Sequence, residues 1–463
     1  MIDDLPEAAA PAPSFFRHVN IVLLTYAVEG ALAFASGALV AQALGPSGRG
    51  VYAIFVLSAG FAQLVFGLGI GSAAIYFINR REMPVRDVVA AAHVSVLWSV
   101  VITAALVGIV APFVSTGAIG AGVPVWLFIF AVPALVYSAV LRLILQGMSR
   151  FAEMGIATVL HPLVMLVLVS IAMAAGSPTP EQVIVFWTLG HACAASFALM
   201  RIGLRNVDVK QIVRPRVANI RRLAHFGVQG ESGNALQLLN YRLDQYIVRG
   251  FVGLAGVGIY AVGVSVSEGV FLLANAVAIV LVPRLTSADP DEARAMTPVA
   301  CRNTMLMAAA GAAVLGAVAA WVIPPVFGSG FDDSVQALWW LLPGTVALTG
   351  SKVLTSYIFS QGRPFVNTLI TVASLVVTLV ALFVLVPVFG VNGAAAASSL
   401  AYITHFCVAL YAYRRMSRQR VLDAIVPRLS DVRLYTDAAR GVFARLGRNR
   451  TLVESPAAPR ARS

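Results

Sequence analysis

Charge is what this sequence has least of. Only 12% of its 463 residues are Asp, Glu, Lys or Arg, about half the roughly 25% of an average soluble protein. Cysteine is as scarce. Cys193, Cys301 and Cys407 are odd in number, scattered, and set in or beside apolar runs, which excludes a disulfide framework and a metal cluster and leaves packing as their role. No P-loop, zinc-protease, nucleophile-elbow or paired-carboxylate motif is written, and no polar stretch is long enough for a catalytic domain. Neither an enzyme nor an ATP-driven pump is expected, and no cofactor. The N-terminus MIDDLPEAAAPAPS is acidic, and the apolar run after it is too long for a signal-peptide core, so no cleaved leader is expected.

Hydrocarbon fills the space that charge leaves. Apolar residues make up 59% of the chain and the mean hydropathy is +0.84. Apolar runs recur that suffice for the roughly 20 residues crossing a bilayer core, without the two-residue alternation of a barrel. The fold expected is an all-α integral membrane protein of about twelve spans, near 17–44, 51–79, 87–114, 122–148, 152–175, 182–204, 224–250, 257–284, 298–323, 333–361, 364–386 and 390–414. The second and tenth contain GLGIGS at 67–72 and Pro343-Gly344, so bends or interruptions are expected there.

Positive charge orients these spans, because Lys and Arg are retained in the cytoplasm. Every second connection is basic and together these hold 29 of the 33 basic residues, whereas the connections between them hold only Arg49 and Arg249. Both termini are therefore expected in the cytoplasm, with the protein in a bacterial inner membrane. The net charge of +12 follows from this topology and needs no nucleic-acid partner. In the basic tail, VRLYTDAARGVFARLG places Tyr435, Val442, Phe443 and Leu446 on one helical side, which suits a helix lying on anionic membrane lipids.

One turn is written twice. ALGPSGRGVYA at 43–53 and FVGLAGVGIYA at 251–261 align Gly45 with Gly253, Gly48 with Gly256, Gly50 with Gly258 and Tyr52 with Tyr260, all at an offset of 208. The offset carries the connection after span 1 onto the connection after span 7. Two six-helix lobes in the same orientation follow, an N-lobe at 17–204 and a C-lobe at 224–414, joined by a basic linker at 205–223 and flanked by cytoplasmic tails at 1–16 and 415–463. Parallel repeats of this kind suit carriers whose halves rock about a central site. The turns are expected at the rim of the two halves, approaching and separating in the cycle, with their tyrosines at the membrane interface.

Ionisable residues inside spans point to a wet interior, since a charge facing lipid is costly. Glu29, Glu231, Arg242, Asp244, Glu268 and Lys352 lie well within spans. In span 7, Glu231, Asn234, Gln237, Tyr241, Arg242, Asp244 and Gln245 cover one side of the helix, and Leu236, Leu239, Leu243 and Ile247 the other. Glu29 falls on Gln237 at the repeat offset, and both are expected on one cleft. Arg242 and Lys352 read as the two intramembrane cations, suited to an anionic substrate or, alternatively, to pairing with Glu231, Asp244 or Glu268. His93, His161, His191 and His405 read as hydrogen-bonded packing residues.

These stretches also resemble a family. ALGPSGRGVYAIFVLSAGFAQLVFGLGIGSAAIYFINR, LDQYIVRGFVGLAGVGIYAV at 243–262, IVLVPRL at 279–285 and FGVNGAAAASSLAY at 389–402 are similar to Wzx-type flippases of the multidrug/oligosaccharidyl-lipid/polysaccharide exporter superfamily. The resemblance implies two lobes around a V-shaped cavity and movement of an undecaprenyl-diphosphate-linked glycan to the periplasmic leaflet. It also implies a polysaccharide polymerase and glycosyltransferases as pathway partners. A proton or sodium ion is the possible coupling ion. The alternatives are a multidrug exporter or lipid II flippase of the same superfamily, or a membrane glycan polymerase or ligase.

Overall fold

A computed structural model of the chain describes residues 13–115, 124–203, 216–287, 289–426 and 428. Most of the basic linker and the amphipathic stretch of the tail lie outside the described residues. The described elements are α1 (Pro13–Phe66), α2 (Ile70–Asn79), α3 (Val85–Ser115), α4 (Phe128–Gly147), α5 (Phe151–Ala175) and α6 (Pro180–Ile202). They continue with α7 (Val217–Val252), α8 (Leu254–Ser287), α9 (Pro290–Phe327), α10 (Asp333–Ser360), α11 (Pro364–Ser417) and the short α12 (Val421–Ile425). Two short 3₁₀ turns complete them. The fold is all-α, and among the described residues eight helices are long and apolar enough to cross a membrane.

α1 and α11 are 54 residues each, about 80 Å if straight against a bilayer core of about 30 Å. Each is two helices meeting at a sharp turn. Gly45 (φ 63°, ψ −177°) breaks α1 and Gly390 (φ 57°, ψ −130°) breaks α11, in left-handed backbone that glycine enters without a Cβ clash. Pro46 then starts the second helix of α1, its missing N–H costing nothing in a first turn. The halves of α11 lie side by side, since Ser374 Oγ donates to the Ala401 carbonyl at 2.8 Å.

The expected irregularities differ from one another. At 67–72 the helix stops at Phe66 and restarts at Ile70, with Leu68 and Gly69 at positive φ. At Pro343 the helix runs on. Ser399 Oγ enters its ladder instead, accepting from the Gly344 N–H at 3.0 Å and donating to the Trp340 carbonyl, so backbone groups freed by the proline stay bonded.

The duplicated turns meet face to face. A Cβ on Gly50 would overlap the Leu254 carbonyl oxygen and stand 3.2 Å from the Gly258 nitrogen. A Cβ on Gly258 would overlap the Pro46 carbonyl oxygen and stand 3.1 Å from the Gly50 nitrogen. Pro46 and Leu254 are themselves one repeat offset apart, so the contact is self-complementary, as between subunits about a two-fold axis. The tyrosines of the turns depart from the interfacial expectation. Tyr260 is fully buried and Tyr52 faces a cavity, because both stand in the second turn of a helix packed against the other copy.

At the arginine-rich end, Gly69 and Gly227 again bring backbone against backbone, and side chains tie the junction. Arg222 in α7 pairs with Glu82 after α2 at 2.5 Å and lies 4.6 Å over the Phe77 ring. Asp87 in α3 is met by Arg216 at 3.4 Å and by the Asn219 amide at 2.9 Å.

Candidate functional site: a cavity between the two copies of the turn

Behind the Gly50–Gly258 contact lies a cavity of about 350 Å³. Both halves of α1, together with α5, supply one part of its wall, and α7 and α8 supply the other. Two guanidinium-bearing residues, Arg49 and Arg242, line it with Ser36, Tyr52, His161, Gln245 and Ser265. Two cations and no carboxylate on this wall favour an anionic group.

Arg49 corrects the sequence reading, which placed it in an external connection and counted Arg242 and Lys352 as the intramembrane cations. Reversal at the single residue Gly45 leaves no loop, and Arg49 stands in the first turn of the helix that Pro46 begins. It is only 9% exposed, its Nε is buried without a hydrogen-bond partner, and its guanidinium lies 5.2 Å from the centre of the Tyr52 ring. Arg142, half-buried within α4, donates to the Ser138 carbonyl at 3.3 Å and is a further cation inside the helices.

Among the described side chains of the polar stripe on α7, only Arg242 and Gln245 reach the central cavity, alongside Leu238 at i, i+4, i+7 spacing. The helix packs on several neighbours and its polar groups divide among them. Arg242 pairs with Glu268 of α8 at 2.7 Å. Glu268, Tyr241 and Lys352 line a second cavity of about 260 Å³ with Ser267, Phe271 and Tyr402, where the Lys352 ammonium lies 5.0 Å from the centre of the Phe271 ring. The Arg242–Glu268 pair thus joins the two cavities.

Asp244 sits behind both walls, 1% exposed. Its carboxylate accepts from the Tyr260 hydroxyl, from Ser398 Oγ at 3.1 Å and from the Gln245 N–H at 2.7 Å. This ties the second turn of α8 to α7 and α11. Asn240 belongs to the same core, donating to Ser374 and accepting from Thr378. Gln237 donates to the Tyr241 hydroxyl at 3.0 Å, whereas Glu29 lies in the first half of α1 within electrostatic reach of Arg142. Glu29, Gln237 and Glu231 line neither cavity. The side chain of Asn234 lies outside the described residues.

Three histidines are hydrogen-bonded: His93 to Tyr137 at 2.7 Å, His191 to Ser138 at 3.1 Å and His405 to Ser351 at 2.7 Å. His161 is different, since it lines the central cavity and its Nε2 is buried without a partner. Tyr260, Ser398 and Tyr402 were also missed, as the bonds of the first two and the ring contact of Tyr402 with Tyr241 cross between helices. Arg49 was findable, had Pro46 been read as a helix start. Among the described residues no group of three metal-ligating side chains assembles, and all three cysteines are free.

Comparison with known proteins fits this architecture. The family model described as "Polysaccharide biosynthesis protein" matches residues 39–336, well over half of the chain. Among curated proteins none matches. Among solved structures, the lipid II flippase MurJ in an inward closed conformation is similar with a TM-score of 0.69 and 13% identity, over 85% of this chain and 87% of its own. An inward-facing multidrug resistance MATE family transporter of the MOP superfamily gives a TM-score of 0.64 and 17% identity, over 86% of this chain and 98% of its own. An outward-facing MATE structure gives 0.60 and 15%, over 88% and 95%. These likenesses establish the fold, and they lend nothing to the polymerase or ligase alternative. The chain is a multi-pass membrane protein with the fold of these transporters, and it belongs to the polysaccharide biosynthesis protein family.

Proposed function

We propose that the protein is a secondary transporter that moves a lipid-diphosphate-linked oligosaccharide from the cytoplasmic to the periplasmic leaflet by alternating access. The observation that carries this reading is the central cavity with Arg49 and Arg242 in its wall. A diphosphate entering a low-dielectric passage needs such compensation, and a guanidinium fork matches its oxygens. The match to the polysaccharide biosynthesis family model supports the sugar. Breaks at Gly45 and Gly390 support twelve spans in two six-helix lobes, near 17–204 and 224–414, around a V-shaped cleft. The self-complementary Gly50–Gly258 contact supports a cleft that closes at the periplasmic rim. A proton or sodium gradient drives the cycle, and glycosyltransferases and a polymerase act before and after it.

A second reading keeps the anion and changes the sugar. The likeness to MurJ favours a lipid II flippase, and both substrates present a polyprenyl diphosphate to the same arginines. The MATE likeness raises a multidrug exporter, which the positive wall of the cavity disfavours for cationic drugs. In proteoliposomes carrying fluorescent undecaprenyl-diphosphate oligosaccharide, the wild type should translocate the lipid. Arg49→Ala and Arg242→Ala should each cut the rate at least about tenfold, one lost charge-assisted hydrogen bond, with Arg242→Lys intermediate. Unchanged transport in the double variant sinks the assignment, and selective transport of lipid II moves the second reading ahead.

A further inference from the structure

We infer that His161, held by the ring stack behind it, is the sugar-recognition residue of the central cavity, an inference that rests on the transport reading above. His161 is on α5 and His191 on α6, and their rings stack with centroids 3.9 Å apart and planes 18° apart. Trp187, one turn before His191, sets its ring nearly perpendicular to both, at 4.5 Å from His191 and 6.0 Å from His161. On the far side Ser138 bonds His191 Nδ1. Gly190 lets α6 lie against His161, since a Cβ there would stand 2.9 Å from both the His161 ring and its carbonyl oxygen. The imidazole at the cavity is therefore fixed before any ligand arrives, which lowers the cost of binding.

Its hydrogen bonding is unfinished. His161 Nε2 is sealed from solvent without a partner, a state that costs as much as a lost hydrogen bond and is uncommon among buried polar groups. Nδ1 is the nitrogen left for whatever fills the cavity, beside Pro162 and Met165. The chemistry selects among parts of the substrate. A phosphate oxygen only accepts, and Arg49 and Arg242 already serve it. A sugar hydroxyl both donates and accepts, so it satisfies an imidazole nitrogen in either tautomer. The ring stack in the N-half thus reads the saccharide while the arginines hold the charge.

The test compares two probes on one purified protein: undecaprenyl diphosphate, and the same lipid bearing one N-acetylhexosamine. The wild type should bind the glycosylated lipid more tightly. His161→Ala should weaken that binding about tenfold, the loss of one hydrogen bond, and leave the bare diphosphate within about twofold. Gly190→Ala, which displaces the ring without removing it, should do the same to a smaller extent, and His161→Asn should recover part of the affinity. Equal affinity of the wild type for the two lipids overturns the inference, as does an equal loss for both in His161→Ala when the variant elutes and melts like the wild type. Wild-type protein that binds neither lipid overturns the transport reading itself. If His161→Ala does not fold, Gly190→Ala decides by the same ratio.

Discussion

The two junctions between the halves both bring glycines together, and they differ in the charge set beside them. At the arginine-poor end, Gly50 and Gly258 bring backbone against backbone, with Leu254 and Pro46 in equivalent positions. At the arginine-rich end, Arg222–Glu82 and Arg216–Asp87 span between helices through long side chains, with the arginines more than half exposed. A backbone contact without side chains has no rotamer to adjust and no charge for salt to screen. Exposed ion pairs contribute about 0–1 kcal/mol each and weaken with ionic strength. Both junctions are set in part by shape, since Gly69 and Gly227 also meet backbone to backbone in the second; what the second adds is charge, in bonds that salt screens.

The largest effect should come from adding one methyl group to the fitted junction. Gly258→Ala or Gly50→Ala forces a Cβ onto a carbonyl oxygen of the other copy, and overpacking of this kind costs about 1–3 kcal/mol. The halves should stay apart at this end, with periplasmic thiol reagents reaching a cysteine at Ser36 and export falling more than about tenfold. Wild-type export by either variant would show that the fit is not needed.

Fixing the same junction shut is the converse experiment. With Cys193, Cys301 and Cys407 replaced by alanine, Ser47→Cys and Ala255→Cys lie one repeat offset apart at the rim. A disulfide between them should stop export, and reduction should restore it. Crosslinked protein that still exports would break the idea of two halves rocking about this contact.

A smaller effect is expected from Tyr260→Phe. The lost hydroxyl leaves Asp244 with Ser398 and the Gln245 N–H as partners, so stability should fall by about 1–3 kcal/mol, read as a lower melting temperature in detergent. The smallest effect should come from the charged junction. Glu82→Gln with Arg222→Gln should change stability by less than about 1 kcal/mol and flatten the salt dependence of export. An effect as large as that of Gly258→Ala would erase the distinction between the two ends.

Much of the fold was legible because membrane helices announce themselves. Spans follow from apolar length, and the repeat from Gly45, Gly50 and Tyr52 recurring at one offset. The site was less legible. Arg242 and Gln245 were found on the polar stripe of α7, but Asp244, between them in sequence, turned out to be bonded into a core. Helical periodicity reports which residues share a side, and it does not report which neighbour that side meets. Arg49 was lost because a glycine and a proline in sequence read as a loop, whereas one residue at φ 63° turned the chain.

Composition by itself determined that this chain lives in a membrane and is helical, because a bilayer leaves a polar backbone no other open-ended solution. The sequence also determined the repeat, through residues whose spacing needs no structure to count. Only the tertiary structure decided that the two copies touch each other through glycine, that Arg49 joins Arg242 across one cavity, and that His161 lines it with Nε2 sealed and unpartnered. Those facts depend on contacts between helices far apart in the chain, and a local pattern carries no record of the partner it will meet.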